Sequence, residues 1–217
     1  MQGMLIDMNL RGKTVLIVGG GKVGERKAAK FLTAHANVLV ASKEFTARLK
    51  QLSLVDKIQL VTVDLESTPQ VIRNLVSRAD FVIAATNQPA LNGRIAEEAR
   101  RKRTHVSVAD NPQLGDFTMP VLSRVGAFQI AVSTGGKSPA MSRVLRKRIE
   151  EMISEEDILM LRLQSYARKL AKARIADQRS RKKALNEIIE DRRIKRSLKK
   201  GNLQEAKELT KHIIASC

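Results

Sequence analysis

Tryptophan is absent from this 217-residue sequence, tyrosine occurs once and phenylalanine five times. Aliphatic side chains must therefore fill any core, and apolar residues, at 43%, are numerous enough to do so. Cysteine is nearly absent too: the one residue, Cys217, is the last. That excludes an intrachain disulfide and a multi-cysteine metal cage. The three histidines (His35, His105 and His212) are scattered, so no metal site is expected. No apolar run approaches the length of a bilayer crossing. The opening MQGMLIDMNLRGK lacks a basic region followed by an apolar run and a cleavage site, so no leader and a cytoplasmic location are expected. Acidic residues are scarce, 22 Asp and Glu against 40 Lys and Arg, for a net charge of +18. The imbalance is concentrated: residues 162–200 hold 15 Lys and Arg and 4 Asp and Glu, a net of +11. Such a field attracts nucleic acid, an anionic membrane or a small molecule with many carboxylates. A solvated basic helix face without a ligand is the alternative. Tyr166 is the only aromatic residue in that stretch, which weakens a case for base stacking with single-stranded nucleic acid.

What is present is an alternation of strand-like and helix-like segments. Residues 14–18 (TVLIV) form a short unbroken apolar run rich in β-branched residues, the texture of a strand buried on both faces of a parallel sheet. Further strands are expected at 37–41, 58–63, 80–85 and 105–108, with helices at 25–33, 44–52, 69–77 and 89–102. This order predicts an α/β fold with a Rossmann-type doubly wound parallel sheet. The texture changes at the turn cluster Asp110-Asn111-Pro112. A strand at 128–133 and a Gly-Gly loop then lead to a helix at 139–153, with Ser138 as its cap and Pro139 at its first position. The remainder reads as helical, broken once at Gly201-Asn202 before a last helix at 203–214. The expected division is a nucleotide-binding domain at 1–111, a small strand–helix segment at 112–153 and a basic helical domain at 154–217.

The segment between the first strand and the first helix is Gly19-Gly20-Gly21-Lys22-Val23-Gly24, which supplies G-x-G-x-x-G. Gly19 permits the tight turn, Gly21 lets a pyrophosphate approach the backbone, and Gly24 allows helix and strand to pack closely. The helix N-terminus adds free N–H groups and a favourable dipole. A purely structural glycine turn is the alternative. The second strand ends Ala41-Ser42-Lys43-Glu44, without the usual acidic residue for the adenosine ribose at its tip. Lys43 favours a ribose phosphate, whereas Ser42 with backbone groups suits a plain ribose, so NAD and NADP both stay open. Thr86 and Asn87 end a strand at the same sheet edge and are expected to line the cofactor, with simple strand capping as the alternative. His35 is expected to take a left-handed conformation at a helix end, and His105 to have a structural role.

Several of these segments together resemble the precorrin-2 dehydrogenase family: VLIVGGGKVGERKA, then AAT at 84–86 with Asn92 following, VADNP at 108–112, FTMP at 117–120, and AVSTGGKSPA at 131–140. The likeness covers essentially the whole chain, and STGGKSP and VADNP are far more specific than the glycine turn. The family includes the N-terminal module of siroheme synthase. The resemblance implies NAD-dependent oxidation of precorrin-2 to sirohydrochlorin, with ferrous iron as a further substrate in members that also act as chelatases. It implies a homodimer whose middle segment exchanges contacts, and neither a nucleic-acid nor a membrane partner. Asp110 matches the family's essential aspartate and would take the substrate proton; a plain turn residue is the alternative. Lys22 and Val23 would give backbone contacts to the cofactor phosphates, and Ser42, Lys43 and Glu44 would lie along the adenosine ribose. Asn111, Thr134, Lys137 and Ser138 would face substrate carboxylates, with a capped helix start as the alternative for Thr134 and Ser138. Asp116 departs from the pattern as a second carboxylate near Asp110, either repelling substrate acids or sharing the proton work. The competing readings are a dehydrogenase without chelatase activity and a nucleotide-sensing regulator that binds nucleic acid.

Overall fold

The computed structural model describes residues 3–216; Cys217 lies outside them. The chain divides into two compact units between Met119 and Pro120. In the first, β1 (Thr14–Val18), α1 (Lys22–Thr33), β2 (Asn37–Ser42), α2 (Ala47–Leu54), β3 (Gln59–Thr62), α3 (Pro69–Val76), β4 (Phe81–Ala84), α4 (Pro89–Arg101) and β5 (His105–Val108) follow one another. The five strands are parallel in the order β3-β2-β1-β4-β5. The chain leaves β1 toward β2 and later returns to its other side as β4, so β1 ends at the topological switch point.

The strand period of two sorts β1 between two cores. Leu16 and Val18 pack with Val82, Ala84, Val106 and Val108 beneath Ile72 and Val76 of α3 and Leu91, Ile95, Ala96 and Ala99 of α4. Val15 and Ile17 face the other way, with Val38, Val40 and Ile83 beneath Ala28 and Phe31 of α1 and Leu49 of α2. Both faces of β1 are thus dry, as its unbroken apolar run requires. Each such buried aliphatic side chain contributes roughly 1.5–3 kcal/mol.

Two helix starts differ from the sequence expectation. Helix α1 begins at Lys22 rather than 25, because Gly21 already completes the turn as its N-cap. Helix α2 begins at Ala47 rather than 44, because the Thr46 hydroxyl accepts the Leu49 N–H and caps it there. Glu44 and Phe45 therefore stay in the connecting loop. Residues 112–119 pack on this first unit. Asp116 accepts the Val106 N–H with its carboxylate at 2.9 Å and donates its own N–H to the Val106 carbonyl at 2.8 Å, closing the outer edge of β5. Phe117 meets Phe81 edge-to-face at 5.8 Å.

The second unit opens with an antiparallel hairpin, β6 (Val121–Val125) and β7 (Phe128–Val132), turning at Gly126 with φ 57°. Strand β6 was not among the strands read from the sequence; its short alternation shows only half-burial and needs the β7 partner to be recognised. Helix α5 (Pro139–Met152) packs on the hairpin. Helices α6 (Glu155–Arg174), α7 (Gln178–Glu190), α8 (Arg192–Lys199) and α9 (Leu203–Ala215) share a core that includes Leu159, Leu163, Ile188, Ile194, Leu198 and Ile213. The expectation of a single break at Gly201-Asn202 is corrected here. The chain also breaks before α7 and before α8, where Asp177 and Asp191 accept backbone N–H groups as N-caps.

Candidate active site

Parallel strands deliver their C-terminal ends to one sheet edge, and there a groove of about 820 Å³ opens. Its walls come from the β1–α1 turn (Gly19–Val23), the loop after β2 (Ser42–Thr46), the loop after β3 (Asp64–Glu66) and the loop after β4 (Thr86–Gln88). Backbone bonds hold the turn: Gly19 N–H donates to the Ala41 carbonyl (2.9 Å), Thr46 N–H to the Gly20 carbonyl (3.0 Å), and Ala85 N–H to the Val18 carbonyl (2.8 Å). Gly19 has φ 121°, and a Cβ there would collide with the Ala85 carbonyl. A Cβ on Gly24 would collide with the Gly19 carbonyl, so the helix packs against the turn only with glycine. At Gly21 nothing lies within 4 Å of a Cβ position. Gly21 caps α1 without a side chain, so the first N–H groups of the helix are left to whatever enters the groove. This uncapped helix start beside open space fits a dinucleotide pyrophosphate.

Every cofactor residue expected from the sequence lines this groove except Gly24, which lies buried beneath the turn. The charge at the β2 end differs from what Lys43 suggested. Lys43 Nζ lies 3.1 Å from an Asp64 carboxylate oxygen and 3.5 Å from one of Glu66. The hydrogen bond that the Lys43 ammonium donates to Asp64 is the main reason the Lys43 pKa is raised, and the same bond holds the Asp64 carboxyl below its ordinary value. Two carboxylates thus take up this one ammonium, and Glu44 is a further acidic residue in the wall. Asp64 and Glu66 went unnoticed in the sequence; the parallel β2–β3 pairing brings them to Lys43, with Val63 N–H bonded to the Ser42 carbonyl at 3.0 Å.

Asp110 and Asn111 follow β5 and are exposed, at the edge where β4 ends and Thr86 follows. Ala109 N–H donates to the Ala84 carbonyl at 2.9 Å, which keeps the two strand ends together. Between them lies a residue given no role in the sequence reading, Asn92 of α4. It is wholly buried and bonds both Thr86 and Asp110 Oδ1. The Asn111 side chain accepts the Gln113 N–H and caps a short 3₁₀ turn at Pro112–Leu114. The Asp116 carboxylate is taken up by the β5 edge, with His105 Nδ1 4.0 Å away. His105 itself stacks on Phe81, with ring centroids 5.7 Å apart. His35 adopts φ 60° at the end of α1, as expected.

Thr134, Lys137 and Ser138 belong to the second unit. Ser138 caps α5 by accepting the Met141 N–H (3.2 Å), and its own N–H donates to the Thr134 hydroxyl (3.0 Å). The buried Ser142 hydroxyl also reaches Thr134, at 3.3 Å. Gly135 and Gly136 both have positive φ, and Lys137 is exposed. Among the described residues no group of His, Cys, Asp or Glu is placed to hold a metal ion, and no helix is long and apolar enough to cross a membrane.

The chain matches two family models, one described as putative NAD(P)-binding over residues 6–121 and one described as sirohaem biosynthesis protein central over residues 125–152. It is 38% identical over 184 residues to the precorrin-2 dehydrogenase of Methanosarcina barkeri, covering 84% of this chain and 81% of that protein. It is 29% identical over 197 residues to a putative precorrin-2 dehydrogenase of Methanocaldococcus jannaschii, covering 90% and 94%. Siroheme synthase 2 of Yersinia enterocolitica is 32% identical over 193 residues, but the chain spans only 40% of that protein's length. Among solved structures, one described as SirC, precorrin-2 dehydrogenase, matches with a TM-score of 0.76 over 97% of this chain and 100% of that chain; at 21% identity the likeness is one of fold.

Proposed function

The chain belongs to the precorrin-2 dehydrogenase family, and we propose that it oxidises precorrin-2 to sirohydrochlorin with NAD as the hydride acceptor. The observation that carries this reading is an exposed carboxylate, Asp110, joined through one buried side chain to Thr86 in the wall of the glycine-turn groove. Bound NAD supplies the acceptor for the hydride. The chain's own part is to bind, orient and deprotonate. The turn at Gly19, Gly21 and Gly24, with the N–H groups of Lys22 and Val23, seats the pyrophosphate. Ser42 and Glu44 lie along the adenosine ribose, and Thr86 and Asn87 along the nicotinamide side. Asp110 takes the proton that leaves the macrocycle as the hydride departs. Asn111, next to Asp110, meets a substrate carboxylate; Thr134, Lys137 and Ser138, in the second unit, are a separate candidate carboxylate-binding loop.

The ribose end favours NAD over NADP. A 2′-phosphate would enter the groove wall that holds Glu44, Asp64 and Glu66, and Lys43 is already paired with two of them. The protein acts as a homodimer through the segment 112–153. Met141, Val144 and Leu145 of α5 and Leu122 of β6 leave 44–54% of their surface exposed within one chain. Sedimentation equilibrium should give the mass of two chains. A cytoplasmic enzyme suits this role.

One coupled assay tests the reading: purified protein with enzymatically made precorrin-2 and either NAD or NADP, followed by sirohydrochlorin absorbance. NAD should support turnover with kcat/KM at least about tenfold above NADP. The Asp64→Asn, Glu66→Gln double variant, which frees Lys43, should narrow that ratio. Absence of sirohydrochlorin with either cofactor overturns the proposal. Ferrous iron added to the accumulated product, against a protein-free control, then reads whether iron is a second substrate and siroheme a second product.

A further inference from the structure

Asn92 is 0% exposed, in the first turn of α4. A carboxamide so buried is stable only where its polar atoms find partners. Asn92 Oδ1 accepts from the Thr86 backbone N–H (3.2 Å) and from the Thr86 hydroxyl (2.7 Å). Its Nδ2 donates to the Thr86 carbonyl (3.2 Å) and to Asp110 Oδ1 (2.9 Å). The Thr86 hydroxyl also lies 3.2 Å from the Gln88 carbonyl, but it carries one proton, and the shorter contact assigns that proton to Asn92.

The orientation of the amide is dictated by these neighbours. A backbone N–H can only donate and a carbonyl can only accept, so Oδ1 must face the Thr86 N–H and Nδ2 its carbonyl. The one remaining N–H then points at Asp110, which must accept it. Oδ1 of Asp110 is thereby held against the protein, while Oδ2 has no partner among the described residues and belongs to an exposed side chain. The two residues of similar size and shape cannot replace it. Aspartate lacks the two donors, and leucine would strand the Thr86 backbone groups without partners.

We propose that Asn92 is a positioning residue for the oxidation: it clamps one oxygen of Asp110 to Thr86 in the cofactor groove, so that the other oxygen is presented to the substrate at a set distance from the nicotinamide side. This rests on the reading of Asp110 as the base. The clamp spans the ends of two neighbouring strands, β4 and β5, and makes the wall of the cofactor groove and the proton acceptor one rigid piece.

A double-mutant cycle on the full-length enzyme tests it, with Asn92→Ala, Asp110→Ala and the pair, each assayed for kcat and for the KM of NAD. Asn92→Ala should lower kcat by about 10- to 100-fold, the range a misplaced catalytic group costs, while the KM for NAD moves less than about threefold. In the Asp110→Ala background the same substitution should have no further effect. If Asp110→Ala turns over like the wild type, the base assignment fails and takes this inference with it. If Asp110→Ala is slow but Asn92→Ala slows both backgrounds alike, Asn92 is merely structural and only this inference falls. Should Asn92→Ala fail to fold, the side-chain amide protons of Asn92 report instead, by NMR on Asp110→Ala with Asn92 intact. The proton donated to Asp110 should shift and the one donated to Thr86 should not; no shift in either overturns the clamp.

Discussion

Gly21 and Gly24 carry the same residue type for opposite reasons. At Gly24 the space for a Cβ is already filled by the Gly19 carbonyl, whereas at Gly21 it is empty and faces the groove. Substituting each by alanine should therefore separate folding from binding. Gly24→Ala should destabilise the first unit by about 1–3 kcal/mol, as overpacking does, and lower its Tm in a calorimetric scan. Gly21→Ala should cost at most about 1 kcal/mol as a change of N-cap. Its main effect should be on NAD, with a Kd raised about tenfold or more in a fluorescence titration, because the methyl group occupies the pyrophosphate's approach. The spacing of these glycines was plain in the sequence. Which of them is closed in and which is open was not, because the Cβ environment of Gly24 is set by Gly19 folding back over it.

Three helix starts of the second unit use an aspartate. Asp157 completes a capping box with Ser154 at the start of α6, Asp177 caps α7 and Asp191 caps α8. The carboxyl of Asp191 lies below its ordinary value of 3.8 chiefly through its hydrogen bond with Arg193, Asp157 through Ser154, and Asp177 through the Ser180 N–H. A folded-state value below the unfolded one adds stability above the ordinary carboxylate value, and that stability is lost as pH falls through the folded value. The Tm should therefore stay flat from about pH 7 to pH 5 and fall below about pH 4. Asp191→Asn, which still caps but does not titrate there, should make the acid limb shallower in a circular dichroism melt. Strand positions in the first unit were legible because each strand carries its own apolar run. The breaks at Asp177 and Asp191 and the strand β6 were not, since a single aspartate near arginines carries no signature of a cap, and a half-buried alternation is not recognised as a strand until its partner is known.

At the scale of the whole molecule the net charge of +18 sets how a polyanionic substrate arrives. A protein field of that sign raises the encounter rate with a multiply carboxylated macrocycle and is screened by salt. Raising ionic strength from about 0.05 to 0.3 M should raise the KM for precorrin-2 by about threefold or more and leave kcat within about twofold, in initial-rate assays at saturating NAD. On the seating proposed above, in which backbone groups hold the pyrophosphate, the KM for NAD should respond less.

Local patterns determined the glycine turn, the alternation of strands with helices and the placement of Asp110 after the last strand of the sheet, because each is a property of consecutive residues. The strand order decided the rest. Setting β4 beside β5 brought Asn92 to Asp110 across 18 positions of sequence, and pairing β2 with β3 brought Asp64 to Lys43. Neither contact has a signature in the residues between. Hydrogen bonds and ion pairs act over a few ångströms, and only the folded sheet brings such distant side chains that close.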